Sequence, residues 1–168
     1  LLVHNIEEVK DSQFSVVFKQ LNELKRQGLV EKIGFSTYTP KQIDFLLNNF
    51  DFDLVQLPFN VFDNRLIQGG QLKALKKKKI EIHARSIFLQ GLLLDFNNLS
   101  DYFLTWKNEF DVYQDVVKES GLSKLEYALN FVLSIKEIDK VLVGVNSKKE
   151  LKEIVQSVKD KEELNAYS

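Results

Sequence analysis

Five short apolar runs, separated by stretches of helical periodicity, limit the fold of this chain more than any other feature. The runs cover residues 1–3, 33–35, 54–55, 80–84 and 141–144, and the first four end at His4, Ser36, Gln56 and Arg85. Between the runs, apolar residues recur at intervals of three and four, as on one face of an α-helix. This alternation predicts a parallel β/α protein. Because chemistry gathers at the carboxyl ends of parallel strands, the residues that close the runs are expected to form one site.

Composition and charge narrow the classes of function. The 168 residues are 44% hydrophobic, which is enough for one domain with a core over residues 1–168. A formal net charge of -1 gives no overall attraction to nucleic acid or anionic lipid, so neither is expected as a partner. The lack of cysteine and the presence of only two histidines leave little material for a metal site, and none is predicted. No apolar run approaches the roughly 20 residues of a membrane span and no signal peptide is visible, which favours a cytoplasmic protein.

The start of the sequence predicts that these residues belong to a longer protein. The chain contains no methionine, and its first residues lie inside an apolar run with no preceding turn or helix cap. A partner strand is therefore expected upstream. An open five-stranded sheet would also expose backbone edges at residues 1–3 and 141–143, where unpaired strands invite association. A missing N-terminal half of the fold, or a second chain, is expected to cover these edges.

Local capping signals place the ends of the predicted helices. Gly28 and Gly121 follow helical stretches and suit the left-handed conformation of a C-terminal cap. Capping boxes, in which a hydroxyl residue precedes a Glu or Gln by three positions, mark helix starts at Thr39/Gln42, Ser123/Glu126 and Ser147/Glu150. The helix before Gly28 is predicted to bury Phe14, Val17, Phe18, Leu21 and Leu24. The helix before Gly121 is predicted to turn inward Phe103, Trp106, Phe110, Tyr113 and Val117.

The polar residues at the strand ends each have a functional and an ordinary structural interpretation. The His4 imidazole can donate a hydrogen bond to a substrate carbonyl or act as an acid or base, although a lone histidine is more often structural. Gln56 can pair with an amide ligand in both directions, or can cap a loop. Ser36 and Thr37 offer hydroxyl groups to the same ligand, but such pairs are common in strand-to-loop turns.

Charged and helix-start residues add further candidates. Arg85 is harder to explain structurally, since a guanidinium at the end of an apolar strand loses hydration unless it pairs with an anion or stacks on a flat group. Asn146 and Ser147 stand at a helix start, where amide and hydroxyl groups can bind a phosphate, but capping explains Ser147 equally well. His83 is predicted to face the helix side of its strand and to be structural.

Four segments in sequence resemble the aldo-keto reductase family. They are GLVEKIGFS at residues 28–36, VQLPFN at 55–60, RS at 85–86 with LQGLL at 89–93, and VGVN at 143–146. Their order and spacing match the family over nearly the whole chain. The chain looks most like the bacterial branch whose seventh strand ends in Arg-Ser instead of Tyr-Ser. The resemblance implies an eight-stranded parallel β/α (TIM-type) barrel, of which this chain supplies about five β/α units, from the fourth strand onward.

The resemblance also implies a role for each candidate residue in hydride transfer between NADPH or NADH and an aldehyde or ketone. His4 matches the histidine that orients the carbonyl oxygen. Ser36 and Thr37 fall where a Ser-Asn pair holds the nicotinamide carboxamide, which Gln56 also contacts, and Arg85 replaces an aromatic residue that stacks on the nicotinamide. The loop along the pyrophosphate is matched by Ser86, Phe88, Gln90 and Gly91. The turn around the adenosine phosphate and the adenine contact are matched by Gly144, Val145, Asn146, Ser147 and Glu153.

Three residues depart from the family pattern, and one part of the site has no match. Asn5 follows His4 where Trp or Asp is common, Thr37 replaces Asn, and Glu150 lies near where some members place an Arg on the 2′-phosphate. The last departure leaves the cofactor as NADP or NAD. In the family, a proton-donating Tyr, a Lys and an Asp come from strands before the fourth. The tyrosines that do not match this motif are Tyr38, Tyr102, Tyr113, Tyr127 and Tyr167.

The resulting prediction is an oxidoreductase of the aldo-keto reductase type that acts on a small carbonyl substrate. The 168 residues carry most of the cofactor cleft and one catalytic residue, His4, so the chain alone is predicted to be inactive. The alternative is a non-catalytic dinucleotide-binding or regulatory barrel subunit, because a barrel can keep a cleft and lose its chemistry. A half-barrel completed by another chain is a further possibility.

Overall fold

A parallel β-sheet organises the chain, whose computed structural model describes residues 1–7, 9, 14–96 and 99–159. The strands are β1 (Leu2–Val3), β2 (Gly34–Ser36), β3 (Leu54–Pro58), β4 (Glu81–Arg85) and β5 (Lys140–Val141). They pair in the order β1-β2-β3-β4-β5, and every pair is parallel. Because strands that follow one another in the chain are neighbours in the sheet, with helices between β1 and β5, the structure confirms the predicted α/β fold of successive β/α units.

The helices lie between the strands and after the last of them. They are α1 (Phe14–Arg26), α2 (Pro40–Asn49), α3 (Arg65–Gln68), α4 (Gln71–Lys77), α5 (Asp101–Leu104), α6 (Lys107–Ser120), α7 (Lys124–Leu133) and α8 (Lys148–Lys159). The capping boxes predicted for α2 and α7 are present, with both reciprocal hydrogen bonds. Gly121 ends α6 at φ 72°, a left-handed conformation that glycine adopts without steric cost. No helix in the described ranges is long and apolar enough to cross a membrane.

The chain contains two compact units. The first unit consists of Leu1–Phe59, Asp63–Arg85 and Lys136–Val141, and it holds the whole sheet with α1 to α4. The second unit consists of Asn60–Phe62, Ser86–Ile135 and the residues from Leu142 onward, and it holds α5 to α8. A single domain over residues 1–168 stays a prediction.

One face of the sheet forms the core of the first unit. Phe35, Val55 and Ile82 lie in register on neighbouring strands and have no exposed surface. The Phe35 ring lies 5.9 Å from that of Phe18 on α1, and burial of side chains of this size stabilises by about 1.5–3 kcal/mol each. The helices α1, α2 and α4 also bury the side chains of Phe14, Ile43, Leu46, Leu72 and Leu75. The sheet is therefore fixed by the face that carries no candidate site residue.

A smaller apolar cluster forms the core of the second unit. Its buried members are Leu93, Tyr113, Val117 and Ala128, and Phe88 and Phe96 are among the half-buried residues that pack against it. Burial raises the pKa of the Tyr113 phenol, and the neighbouring Tyr127 raises it further. Burial also raises the pKa of Tyr127 on α7, so both phenols remain protonated at neutral pH.

Two residues predicted to be buried are exposed. Val17 is 49% exposed, because α1 turns Phe14 and Phe18 toward Phe35 and leaves Val17 on a side that no other described element covers. Trp106 is 41% exposed, because the predicted single helix is broken. The break separates α5 from α6 and makes Trp106 the residue that precedes α6, so the spacing of a continuous helix does not place it.

Candidate functional site

The candidate residues of the first unit lie at the carboxyl ends of the strands. His4 follows β1, Ser36 ends β2, and Arg85 ends β4. Ser36 is the register partner of Gln56 in β3, and Val3 pairs with Phe35, so His4 comes at the level of Ser36. Because register partners on neighbouring parallel strands lie side by side, Ser36 and Gln56 are adjacent. The structure brings these four residues to the carboxyl side of one sheet, as the alternating pattern predicted.

Two buried hydroxyl groups stand at the end of β2. The Ser36 Oγ and Thr37 Oγ1 atoms are buried and have no hydrogen-bond partner among the described residues. The Thr37 backbone N–H donates to the Gln56 carbonyl at 2.8 Å, which fixes this segment against β3. A buried hydroxyl without a partner costs about 1–3 kcal/mol, a cost that an amide ligand reaching these oxygens would remove. The pair therefore fits a carboxamide.

Arg85 is held by the residues that follow β2, on the far side of β3. Its guanidinium donates to the Thr37 carbonyl at 3.1 Å and lies 4.3 Å from the centre of the Tyr38 ring. A carbonyl oxygen and an aromatic face both attract a guanidinium, so these two contacts offset part of the cost of removing Arg85 from water. Tyr38 is 49% exposed, and the Arg85 guanidinium lies over its ring. Sequence reasoning missed this contribution of Tyr38, for which the only signal is an aromatic residue just beyond a strand end.

Neither histidine belongs to the buried core. His4 is exposed, so it is not a buried core residue. His83 is the register partner of Gln56, and the prediction that it faces the helix side of β4 is wrong. Strand β4 buries Ile82 and Ala84 on the helix side, and alternation turns His83 to the opposite face. The apolar residues at positions 80, 82 and 84 were the signal that places it there.

A charged cluster surrounds His83. The Glu81 carboxylate accepts hydrogen bonds from Lys140 at 2.8 Å and from Lys32. The His83 Nε2 atom lies within hydrogen-bond distance of the same carboxylate, at 2.7 Å. The Lys140 bond, followed by those of Lys32 and His83, holds the pKa of Glu81 well below its usual range. Glu81 is therefore ionised at neutral pH. Within the described ranges there is no group of three or more His, Asp or Glu residues that could hold a metal ion.

The second unit carries the loop predicted to lie along the pyrophosphate. Ser86, Leu89 and Gln90 have φ values of 57°, 48° and 56°, a left-handed region that residues other than glycine rarely occupy. The Asn60 side-chain amide donates to the Ser86 carbonyl at 3.2 Å. Phe88 packs on the apolar cluster of this unit, so its side chain anchors the loop. Strained backbone of this kind is concentrated at functional sites, although it does not identify a ligand.

The turn before α8 is capped by its own acidic residue. The Glu150 carboxylate accepts from the Asn146 backbone N–H at 2.7 Å, and the Ser147 hydroxyl accepts from the Glu150 N–H at 3.1 Å. Val145 is 39% exposed, and Glu153 pairs with Lys149 at 3.7 Å. The turn was predicted to surround the adenosine phosphate. Its Asn146 N–H group is instead hydrogen-bonded to the negatively charged Glu150 carboxylate.

An open cavity of about 390 Å³ also lies in the second unit. Its walls are aromatic and aliphatic, with a single carboxylate, and one wall residue belongs to the strained loop. The residues that line it are Phe62, Leu89, Leu92, Tyr102, Phe103, Trp106, Glu109 and Phe110. A cavity of this size and composition can hold the apolar part of a small organic molecule.

Comparison with solved structures agrees with this architecture. The aldo-keto reductase AKR11C1 from Bacillus halodurans matches with a TM-score of 0.72 and 20% identity in its holo form, over 94% of this chain and 54% of that chain. The glycerol dehydrogenase AKR11B4 from Gluconobacter oxydans matches with a TM-score of 0.56 and 16% identity, over 84% of this chain and 53% of that chain. The chain spans about half the length of these structures, and the likeness shows the fold, that of a partial β/α barrel.

Comparison with known sequences gives the family. No curated protein matches the chain significantly. The sequence pattern described as the Aldo/keto reductase family matches residues 1–168. Since this match covers all of the sequence, the chain belongs to the aldo/keto reductase family.

Proposed function

We propose that the chain forms the C-terminal part of an NAD(P)H-dependent reductase that acts on an aldehyde or ketone. The observation that carries the proposal is that Ser36 and Gln56 are register partners at the carboxyl ends of β2 and β3. Beside them lie the Ser36 and Thr37 hydroxyl groups, which have no hydrogen-bond partner among the described residues. These are donors and acceptors that a nicotinamide carboxamide requires. A cytoplasmic location and a small carbonyl substrate are part of the same proposal.

In this proposal each residue acts on one part of the ligands. Ser36, Thr37 and Gln56 bind the carboxamide, and the Arg85 guanidinium, which lies over Tyr38, contacts the nicotinamide ring. The exposed His4 imidazole donates a hydrogen bond to the substrate carbonyl oxygen, which polarises the carbonyl and favours attack at its carbon. The bound cofactor supplies the hydride. The carbonyl oxygen must also gain a proton, so the reaction requires an acid.

Two tyrosines of the described residues, Tyr113 and Tyr127, are poorly suited to supply this proton. Burial raises the pKa of Tyr113 and of Tyr127, which makes both weaker acids than an ordinary tyrosine. Tyr38 contacts Arg85, and Tyr102 lines the cavity of the second unit. Tyr167 lies outside the described residues. We therefore propose that the acid comes from a segment other than these 168 residues, in keeping with the family pattern.

A titration with NADH tests the carboxamide site. Replacing Gln56 by alanine is expected to weaken NADH binding about threefold to tenfold, the effect of losing one net hydrogen bond. The dissociation constants are measured from the fluorescence of bound NADH. Gln114→Ala, on an exposed position of α6, is the matched control and should leave binding unchanged. Absence of saturable binding to the unmodified protein, or equal affinity in Gln56→Ala, would remove the site.

We also propose that the cofactor is NAD and not NADP. The supporting observation is the Glu150 carboxylate on the Asn146 N–H, because a carboxylate repels a 2′-phosphate but accepts a hydrogen bond from a ribose hydroxyl. Glu150→Gln is expected to improve NADPH binding about twofold to fivefold relative to NADH, since one unfavourable charge of roughly 1 kcal/mol is removed. Dissociation constants of both cofactors are compared for this variant and for the control Glu119→Gln on α6. Tighter binding of NADPH than NADH by the unmodified protein would contradict the proposal.

A further part of the proposal concerns the outer edges of the sheet. Among the described residues, β1 pairs only with β2 and β5 only with β4, so one edge of each lacks a neighbour. We propose that an N-terminal barrel half or a second chain covers them. The isolated 168-residue chain is then expected to elute as an oligomer or to aggregate, because open edges pair with each other. Size-exclusion chromatography with light scattering measures this, and a stable monomer would be the opposing result.

A further inference from the structure

The open cavity of the second unit is walled largely by aromatic rings. It has a volume of about 390 Å³, and five of its eight lining residues are aromatic. The rings of Tyr102, Phe103 and Trp106 are inclined to one another by 54–84°, with centres 5.1–6.5 Å apart. Rings inclined in this way cover less of one another than stacked rings do, and Tyr102 and Trp106 are 70% and 41% exposed. The cavity therefore offers aromatic surface to a ligand.

The cavity wall also carries a carboxylate without a cation of its own. Glu109 is exposed, and no ion pair joins its carboxylate to another described residue. Residues 95–111 include four acidic residues and a single basic one, Lys107. The Lys107 ammonium is paired with Asp111 at 2.5 Å, so it does not compensate Glu109. A negative charge at the wall of an aromatic cavity attracts a cationic ligand and repels an anionic one.

A contact between a cation and an aromatic ring already exists in this unit. The Lys124 Nζ atom lies 4.2 Å from the centre of the Phe96 ring. That ring lies 5.0 Å from the ring of Phe110, which lines the cavity. The negative face of an aromatic ring attracts an ammonium group at such distances. The aromatic cluster thus holds one ammonium group of the chain itself.

We propose that this cavity binds a small organic ammonium ion, an inference that goes beyond the proposed reductase function and does not depend on it. The alkyl groups of such an ion contact the rings of Tyr102 and Trp106, and Glu109 attracts its charge. A bare ammonium group is strongly hydrated, whereas an alkylated one carries its charge beneath an apolar surface. The alkylated ion therefore matches both the aromatic walls and the carboxylate, and a neutral molecule of the same shape matches only the walls.

Trp106 makes the test direct, because it lines the cavity and is the only tryptophan of the sequence. Its fluorescence is followed while the chain is titrated with choline or with 3,3-dimethylbutan-1-ol, without cofactor and at constant ionic strength. The alcohol has the shape of choline, with a carbon atom in place of the charged nitrogen. Choline is expected to bind about threefold to tenfold more tightly than the alcohol, as for a partly exposed contact between a cation and aromatic rings.

Two variants separate charge from shape. Glu109→Gln keeps the size of the side chain, and it is expected to weaken choline binding about twofold to fivefold while changing binding of the alcohol less than about twofold. Tyr102→Leu keeps an apolar wall but removes one ring, and it is expected to weaken choline binding by a similar factor. Because Tyr102 is 70% exposed, its replacement leaves the core intact. Glu119→Gln, on an exposed position of α6, is the matched control and should leave both affinities unchanged.

The outcomes separate this inference from the proposed function. Equal affinity for choline and the alcohol, or no saturable fluorescence change with choline, would overturn the inference. Equal losses in Glu109→Gln and Glu119→Gln would also overturn it, because the effect would then come from the net charge of the protein. NADH binding is measured separately. Binding of NADH without a preference for choline would remove the inference and leave the proposed function, and a preference for choline without NADH binding would do the reverse.

Discussion

With NADH and a simple aldehyde, the 168-residue chain alone is expected to react at least ~100-fold more slowly than the same chain combined with a segment that supplies a proton-donating tyrosine. A positioned general acid contributes about 10²–10⁴-fold to the rate, because without it hydride addition leaves the carbonyl oxygen as an unprotonated alkoxide. Tyr113 and Tyr127 do not replace that acid, since burial raises the pKa of both. The rate is measured from the loss of NADH absorbance.

The comparison needs both forms to bind the cofactor. The chain is assayed alone and combined with the segment that supplies the proton-donating tyrosine, and NADH binding is measured for each. Full activity of the chain alone would contradict the expectation. NADH binding without activity in either form would favour the alternative, a non-catalytic dinucleotide-binding or regulatory subunit. In the active form, His4→Ala should lower the rate of NADH oxidation if the imidazole contacts the carbonyl oxygen.

Signals confined to a few neighbouring residues predicted the elements of the fold well. The runs at residues 33–35, 54–55 and 80–84 became β2, β3 and β4 with shifts of up to three residues at their ends. The capping boxes of α2 and α7 were confirmed because their hydrogen bonds join residues three positions apart. Parallel pairing followed from the alternation of strands and helices, since neighbouring parallel strands need a crossover helix.

Burial was harder to predict where it depends on residues distant in sequence. The periodicity of α1 gives an apolar stripe, but the width of the stripe that is covered depends on neighbouring elements, and Val17 lies outside it. Trp106 was predicted wrongly because the helix breaks between α5 and α6. The three- and four-residue spacing of apolar residues on one helix does not continue across such a break. The same reasoning applies to β5, which is only two residues long and ends before the predicted run does.

The candidate site shows the same division between local and distant information. That Ser36 and Gln56 meet follows from parallel alternation, because each closes or nearly closes a strand. The contact of Arg85 with Tyr38 joins residues 47 positions apart, and the position of His83 beside Gln56 depends on the register of β4 against β3. Register is set by which apolar residues the helices cover. Counting the buried positions of β4 from Ile82 would have placed His83 correctly.

Replacing Gly34 by alanine is expected to destabilise the protein by about 3 kcal/mol, at the upper end of ordinary overpacking. A Cβ at this position would lie 2.1 Å from the Leu54 carbonyl oxygen and 2.7 Å from its Cγ. Leu54 is the register partner of Gly34, so relief requires β2 and β3 to separate. Urea unfolding measures the change, and Gly144→Ala, with no heavy atom within 4 Å of its new Cβ, is the control.

The position of Gly34 couples this stability effect to the candidate site. Ser36 lies two residues further along β2, on the same face as Gly34, and pairs with Gln56. Any separation of the strands that accommodates a Cβ also moves Ser36 away from Gln56, so NADH binding should weaken even in conditions where Gly34→Ala remains folded. Unchanged unfolding together with unchanged NADH affinity would show that β2 and β3 are not in the register described, and the adjacency of Ser36 and Gln56 would fall with it.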